Sequence, residues 1–184
     1  MKQLLYFLLI IVTISCNKAS KLEQKINCTS TISYKLNQIK DFNNNFMISI
    51  PTSWKTNLYY DNISSEIYIA DTLKELTKTF IIGVSFFKGN LKLNKEFVTK
   101  SDSLFSLEKL KIITSEKEKF INKPSYWYIL SGTKKGFPFH QLNITIKNAD
   151  KSYINTTVDI YGDKSVNNRI CQAISILKTI QFLQ

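Results

Sequence analysis

The stretch 126–160 decides the fold. It reads Tyr126-Trp127-Tyr128-Ile129-Leu130, then Leu142-Asn143-Ile144-Thr145-Ile146, then Ile154-Asn155-Thr156-Thr157-Val158-Asp159-Ile160. Apolar residues recur at every second position in the last two segments, the period of a half-buried strand. Gly132 to Gly136 and Asn148 to Lys151 separate the segments with turn-forming residues. Connections this short join antiparallel neighbours, so the stretch predicts three hairpin-linked strands.

The same period extends outward. Phe46, Ile48 and Ile50 alternate and stop at Pro51. Ile67 and Ile69 mark a short strand, and Phe80, Ile82, Val84 and Phe86 a longer one. Residues 112–120 are extended but more polar, which suits a sheet edge. Two segments switch to helical spacing. Asn94 caps a helix with Phe97, Val98, Leu104 and Phe105 on one face. Val166, Ile170, Ala173, Ile174 and Leu177 form a second apolar stripe. Ile180 and Phe182 end the chain as a short strand or a docking tail. The expected class is α+β, a mainly antiparallel sheet covered by helices.

The chain has 184 residues, a formal net charge of +11 and 43% hydrophobic residues. That suits one domain and is too apolar for disorder. The positive charge comes almost wholly from Lys, with Arg169 the lone Arg. A nucleic-acid surface would favour Arg for bidentate contacts, so no nucleic-acid partner is expected. Gly and Pro are scarce while Lys, Asn and Ile abound, a pattern that follows codon drift rather than a ligand.

Lys2, the apolar run Leu4 to Val12 and Thr13-Ile14-Ser15-Cys16 resemble a bacterial lipoprotein signal. The run falls short of the roughly 20 residues a bilayer-spanning helix needs. The resemblance implies a signal peptide over 1–15, cleavage, and acylation of Cys16. It places the protein in the cell envelope, held by its lipid in the outer membrane and facing the periplasm. Residues 16–27 then form a lipidated tether that needs no fold of its own, and 28–184 the domain. Cys28 and Cys171 remain. In an oxidising compartment they pair as a disulfide, and the alternative is two buried thiols.

Phe46-Met47-Ile48-Ser49-Ile50-Pro51-Thr52-Ser53-Trp54 resembles the entry motif F-x-I-x-I-P-x-x-W of PsbP-like domains, the α/β/α sandwiches related to an extrinsic photosystem II subunit. The order of a mid-chain helix, a meander and a closing helix fits the same family. The resemblance implies a binding or assembly role with an envelope protein partner. It carries over no catalytic residue and no metal ligand.

No side-chain set for chemistry emerges. His140 is the lone His, Cys28 and Cys171 form no C-x-x-C pair, and no G-x-S-x-G elbow or phosphate-binding glycine loop is present. No catalytic residue, metal or cofactor is expected. Asp61, Glu66, Asp71, Glu75 and Asp159 read as solvated surface. Two aromatic spots stand out, Tyr59-Tyr60 and Tyr126-Trp127-Tyr128. Alternation puts Tyr126 and Tyr128 on one sheet face and Trp127 on the other. Trp54 reads as a large apolar plug near the sheet end, and Tyr126 and Tyr128 as core or sheet-surface packing; the alternative makes Trp54, Tyr126 and Tyr128 the candidate binding surface. The function expected is a lipid-anchored, non-catalytic binding or assembly module. The alternatives are a small-ligand-binding lipoprotein, or an envelope enzyme whose site forms only on folding.

Overall fold

The computed structural model describes residues 19–29, 35–107, 109–149 and 151–183. The expected signal segment and Cys16 lie outside the described residues. The elements run α1 (Lys21–Ile26), β1 (Leu36–Lys40), β2 (Phe46–Pro51), β3 (Lys55–Tyr60), β4 (Ser64–Ala70), a 3-10 turn (Leu76–Lys78) and β5 (Ile81–Lys88). Then follow α2 (Lys95–Leu107), β6 (Lys111–Phe120), β7 (Lys123–Lys134), β8 (Phe137–Ala149), β9 (Ser152–Tyr161), α3 (Val166–Leu177) and β10 (Gln181–Phe182).

Two antiparallel sheets result. β1-β2-β10 is small, and β3-β4-β5-β9-β8-β7-β6 forms the body. The meander is β7-β8-β9, as its alternation predicts, and β6 lies at the sheet edge. The β6–β7 hairpin adds a fourth strand through Ile121 and Asn122, both at positive φ, 47° and 62°. That is a two-residue mirror-image turn, the kind whose twist matches the flanking strands. Its usual signature is Asn-Gly; here a β-branched residue takes the first position.

One face of the large sheet buries the main core. Trp127, Ile82, Ile144, Val158 and their neighbours pack there with Phe46 and Ile48 of β2 and Ile170, Ile174 and Leu177 of α3. On the opposite face α2 covers a smaller cluster of Tyr126, Tyr128, Leu130, Phe139 and Tyr161 through Phe97 and Val98. Asn94 caps α2 as expected, its Oδ1 accepting the Phe97 N–H at 3.0 Å. Leu104 departs from the predicted apolar face and is exposed.

The segment 16–27 differs from the tether expected of it. Lys21–Ile26 is a helix that buries Leu22 and Ile26 in the main core. Ser20 and Glu23 form a reciprocal capping box, which satisfies two orphan N–H groups at its start. Cys28 follows directly and bonds to Cys171 of α3, with the Cα atoms 5.5 Å apart. The ordered domain therefore begins by Ser20, and its first helix is clamped covalently to its last.

Candidate functional site

The β3–β4 hairpin, with Phe42 before β2, brings six exposed apolar side chains together at one edge of the large sheet, while others such as Leu73 and Ile113 stand exposed elsewhere. Leu58, Tyr59 and Tyr60 of β3, Tyr68 of β4, Ile63 of the turn and Phe42 before β2 are each between 40% and 66% exposed. Phe42 and Tyr60 stack in parallel, with ring centroids 3.7 Å apart. Tyr59 meets Tyr68 edge to face on the other side of the strand. Single exposed apolar residues are ordinary, whereas a cluster marks a surface with a use.

The turn that joins the two strands is held by side-chain and backbone hydrogen bonds. Asp61 Oδ1 accepts the N–H groups of Ile63 at 2.8 Å and Ser64 at 2.7 Å. These bonds hold the Asp61 carboxyl below its ordinary pKa. Lys88 N–H donates to the Ile63 carbonyl, tying the turn to the end of β5. A cleft of about 350 Å³ lies here, lined by Tyr59, Tyr60, Asp61, Ser64, Glu66 and Tyr68. Burial, with Glu66 alongside, pushes the Tyr68 phenol above its ordinary pKa, so it stays a neutral hydrogen-bonding group.

The three candidate binding residues take the packing role and not the surface one. Trp54 is 8% exposed and packs edge-on against Phe80 inside the main core. Tyr126 and Tyr128 do share a face, 5.8 Å apart, but α2 lies over them and Phe97 meets Tyr126 edge to face. Both are buried. A strip open to a partner needs the sheet face bare, and here a helix covers it. Only the margin of Tyr128 reaches a cleft, one of about 260 Å³ beside Phe97, Leu104 and Tyr153. The Tyr59-Tyr60 pair, flagged by aromatic density alone, is the one that stands open.

The polar candidates are largely occupied. His140 Nε2 lies 2.8 Å from Asp163 Oδ1. Asp159 Oδ1 accepts from Gln141 at 2.6 Å, and Asp71, expected at the surface, is buried with its Oδ1 accepting the Leu73 N–H. Among the described residues no group of three His, Cys, Asp or Glu side chains is placed to hold a metal ion. A cleft of about 440 Å³ between α1, α3 and the β6–β8 end is lined by Ile26, Ile129, Ile170, Lys25, Ser131 and His140.

No family model and no curated protein matches the sequence. Solved structures do match the fold. CyanoP, the cyanobacterial PsbP of Synechocystis sp. PCC 6803, is 10% identical and superposes with a TM-score of 0.57 over 85% of this chain and 97% of its own. The Ran-binding protein Mog1p of Saccharomyces cerevisiae is 7% identical with a TM-score of 0.55, covering 82% of this chain and 96% of its own. A crystal structure from Bacteroides thetaiotaomicron is 11% identical with a TM-score of 0.56 over 80% of this chain, which spans 48% of that longer one.

These likenesses define the class as an α+β sandwich of mainly antiparallel sheets. Within that class this chain has the PsbP/Mog1-like fold.

Proposed function

We propose that this is a lipid-anchored cell-envelope protein whose domain binds a protein partner without catalysing a reaction. The observation that carries the reading is the exposed aromatic and aliphatic cluster at the β3–β4 hairpin. Mog1p, of the same fold, is a Ran-binding protein, so the fold serves a protein partner there.

The anchor in this reading is an acyl group on Cys16, in the outer membrane and facing the periplasm. Three residues, Asn17 to Ala19, separate Cys16 from the Ser20 cap, and the four spacings reach about 14 Å at full extension. The domain would then sit close to the membrane. α1 starts beside β6, where Lys21 N–H donates to Glu118 at 2.9 Å and Lys21 Nζ pairs with Glu116. β3 is the opposite edge of the seven-stranded sheet. Six spacings of about 4.8 Å put it roughly 30 Å from the anchored side.

Proximity crosslinking of the full-length protein in its native envelope tests the reading. One dominant partner captured from the Tyr60 side is expected, and no enriched partner would refute it. Labelling with a clickable fatty acid tests the anchor: wild type takes the label and Cys16→Ser does not. The cleft between α1 and α3 favours a second reading, a small apolar ligand. Native mass spectrometry of the purified protein decides it by showing or not showing a bound mass.

A further inference from the structure

We propose that the outward edge of β3 takes up an extended strand of the partner, adding an eighth strand to the large sheet. This rests on the protein-partner reading and names how the partner is held.

The backbone supplies the docking groups. Asp61 N–H donates to the Ser64 carbonyl at 3.0 Å, so residues 61 and 64 are a hydrogen-bonded pair in the β3–β4 register. Hydrogen-bonded and non-bonded pairs alternate along an antiparallel ladder. Tyr59 with Glu66 and Asn57 with Tyr68 are therefore the next bonded pairs. The N–H and C=O groups of Thr56, Leu58 and Tyr60 turn away from β4. β3 is terminal in the sheet, so no strand of the sheet meets them.

The two edges of this sheet are built differently. β6 alternates lysines and glutamates over Lys117-Glu118-Lys119, carries a bulge between Ile112 and Thr114, and has α1 docked on Glu116 and Glu118. Charge, a bulge and a cover are the usual protections of an edge. β3 carries only Lys55, at its first residue, with no proline and an unbroken register. Among the described residues no strand pairs with its outward edge, which is flanked by apolar side chains on both faces, Leu58 and Tyr60 on one and Tyr59 on the other. Strand addition draws affinity from the backbone and specificity from alternate side chains.

A second copy of the chain suits this edge less well. Two chains that each carry +11 repel. The chemistry of the occupant can be read from β4, which already pairs with this strand. Ile67 faces Leu58 and Ile69 faces Thr56, while Glu66 faces Tyr59 and Tyr68 faces Asn57. The partner segment is thus extended, with an acidic residue opposite Tyr59, β-branched residues on one face and aromatic or polar residues on the other.

The probe is a capped synthetic peptide of the β4 sequence, Ser64 to Ala70, titrated into the full chain in detergent. Binding at tens of micromolar is expected, with the Thr56, Leu58 and Tyr60 amides exchanging at least about tenfold more slowly. The Asn57 and Tyr59 amides, already bonded to β4, should not change. Leu58→Pro removes an outward N–H that β4 does not use, so the edge tolerates it while peptide affinity falls at least about tenfold. Leu58→Lys is the second variant and should weaken binding while leaving every backbone donor in place. Four results would overturn the proposal: no saturable binding to about 1 mM, equal binding of a scrambled peptide, wild-type affinity in both variants, or a dimer that closes over β3 without peptide. If envelope crosslinking still captures a partner when the peptide fails, the partner stands and strand addition falls.

Discussion

Replacing Arg169 tests how the fold holds the turn that leads into α3. The residue is 4% exposed, and its guanidinium reaches five backbone carbonyls, Nη1 sharing its two hydrogens among three of them. Thr79 and Tyr161 are reached at 3.0 and 2.9 Å in buried bonds. Thr77, Gly162 and Lys164 are reached at 3.2, 2.8 and 2.8 Å nearer the surface. One side chain thereby joins the 3-10 turn before β5 to the β9–α3 connection. Burial pushes its pKa below the ordinary value and Asp163 opposes the shift, yet an arginine stays charged at any working pH. Arg169→Met leaves the two buried carbonyls without a donor, at about 1–3 kcal/mol each. The three outer carbonyls can turn to water and add little. The expected loss is therefore about 2–6 kcal/mol, a large share of a domain's stability. Arg169→Lys keeps the charge but offers a compact ammonium with three donors, so it should lose about 1–3 kcal/mol. Urea unfolding followed by the fluorescence of Trp54 and Trp127 measures both, with the slope m unchanged if only stability moves. A lysine variant within about 0.5 kcal/mol of wild type would show that charge alone suffices, and would refute the carbonyl-cage account.

Glu23 should give the domain an acid-sensitive contact. Burial alone would raise its pKa, but the Lys178 ammonium at 2.5 Å and the N–H and hydroxyl of Ser20 outweigh it and hold the carboxyl low. The folded pKa lies below the unfolded one, so the contribution is full above about pH 4.3 and fades as pH falls through the folded value. Glu23→Gln should be less stable at neutral pH and show a flatter acid limb; parallel curves would sink the assignment. Removing the Cys28–Cys171 bond frees a span of 143 residues, for which chain entropy sets a ceiling of about 5 kcal/mol. Thermal unfolding of the double serine variant checks it, and a negligible change would mean that packing alone seats α1 on α3. A methyl at Gly83 would lie 2.7 Å from Thr157 Oγ1 and 3.1 Å from the Tyr68 ring. Gly83→Ala should cost about 1–3 kcal/mol. Thr157→Ala in the same chain should recover part of that, and strict additivity of the two changes would contradict the clash.

Period two made most of the body legible. The β7–β8–β9 meander, β2 with its Pro51 stop, β4, β5 and the stripe of α3 all sit where alternation or helical spacing put them. α1 carries a readable signal as well, the Ser20-x-x-Glu23 box with Leu22 and Ile26 four apart. A polar stretch behind a presumed lipid site outweighed it, because six residues give a weak helical period. β3 was lost for a different reason. Lys55-Thr56-Asn57-Leu58-Tyr59-Tyr60 is exposed on both faces, so it has no buried face to impose a pattern. The aromatic strip was misplaced by the same physics. Tyr126 and Tyr128 share a face in the sequence, but only the path of α2 decides whether that face is open.

Which strand ends up at an edge depends on pairings between distant segments. β5 joins β9 by setting Ile81 against Asp159, and that pairing pushes β4 and β3 outward on one side while the meander runs to β6 on the other. The two edges then take different tasks. α1 occupies β6 through Lys21, Glu116 and Glu118, and the Cys28–Cys171 bond ties the end of α1 to α3. In the proposed reading, an anchor upstream of Ser20 would load the β6 edge, with β3 at the opposite edge of the sheet. Breaking the disulfide should loosen α1 without touching the β3 backbone. If peptide binding at β3 survives in the double serine variant below its melting point, the two edges act independently, as a sheet with its core between them allows.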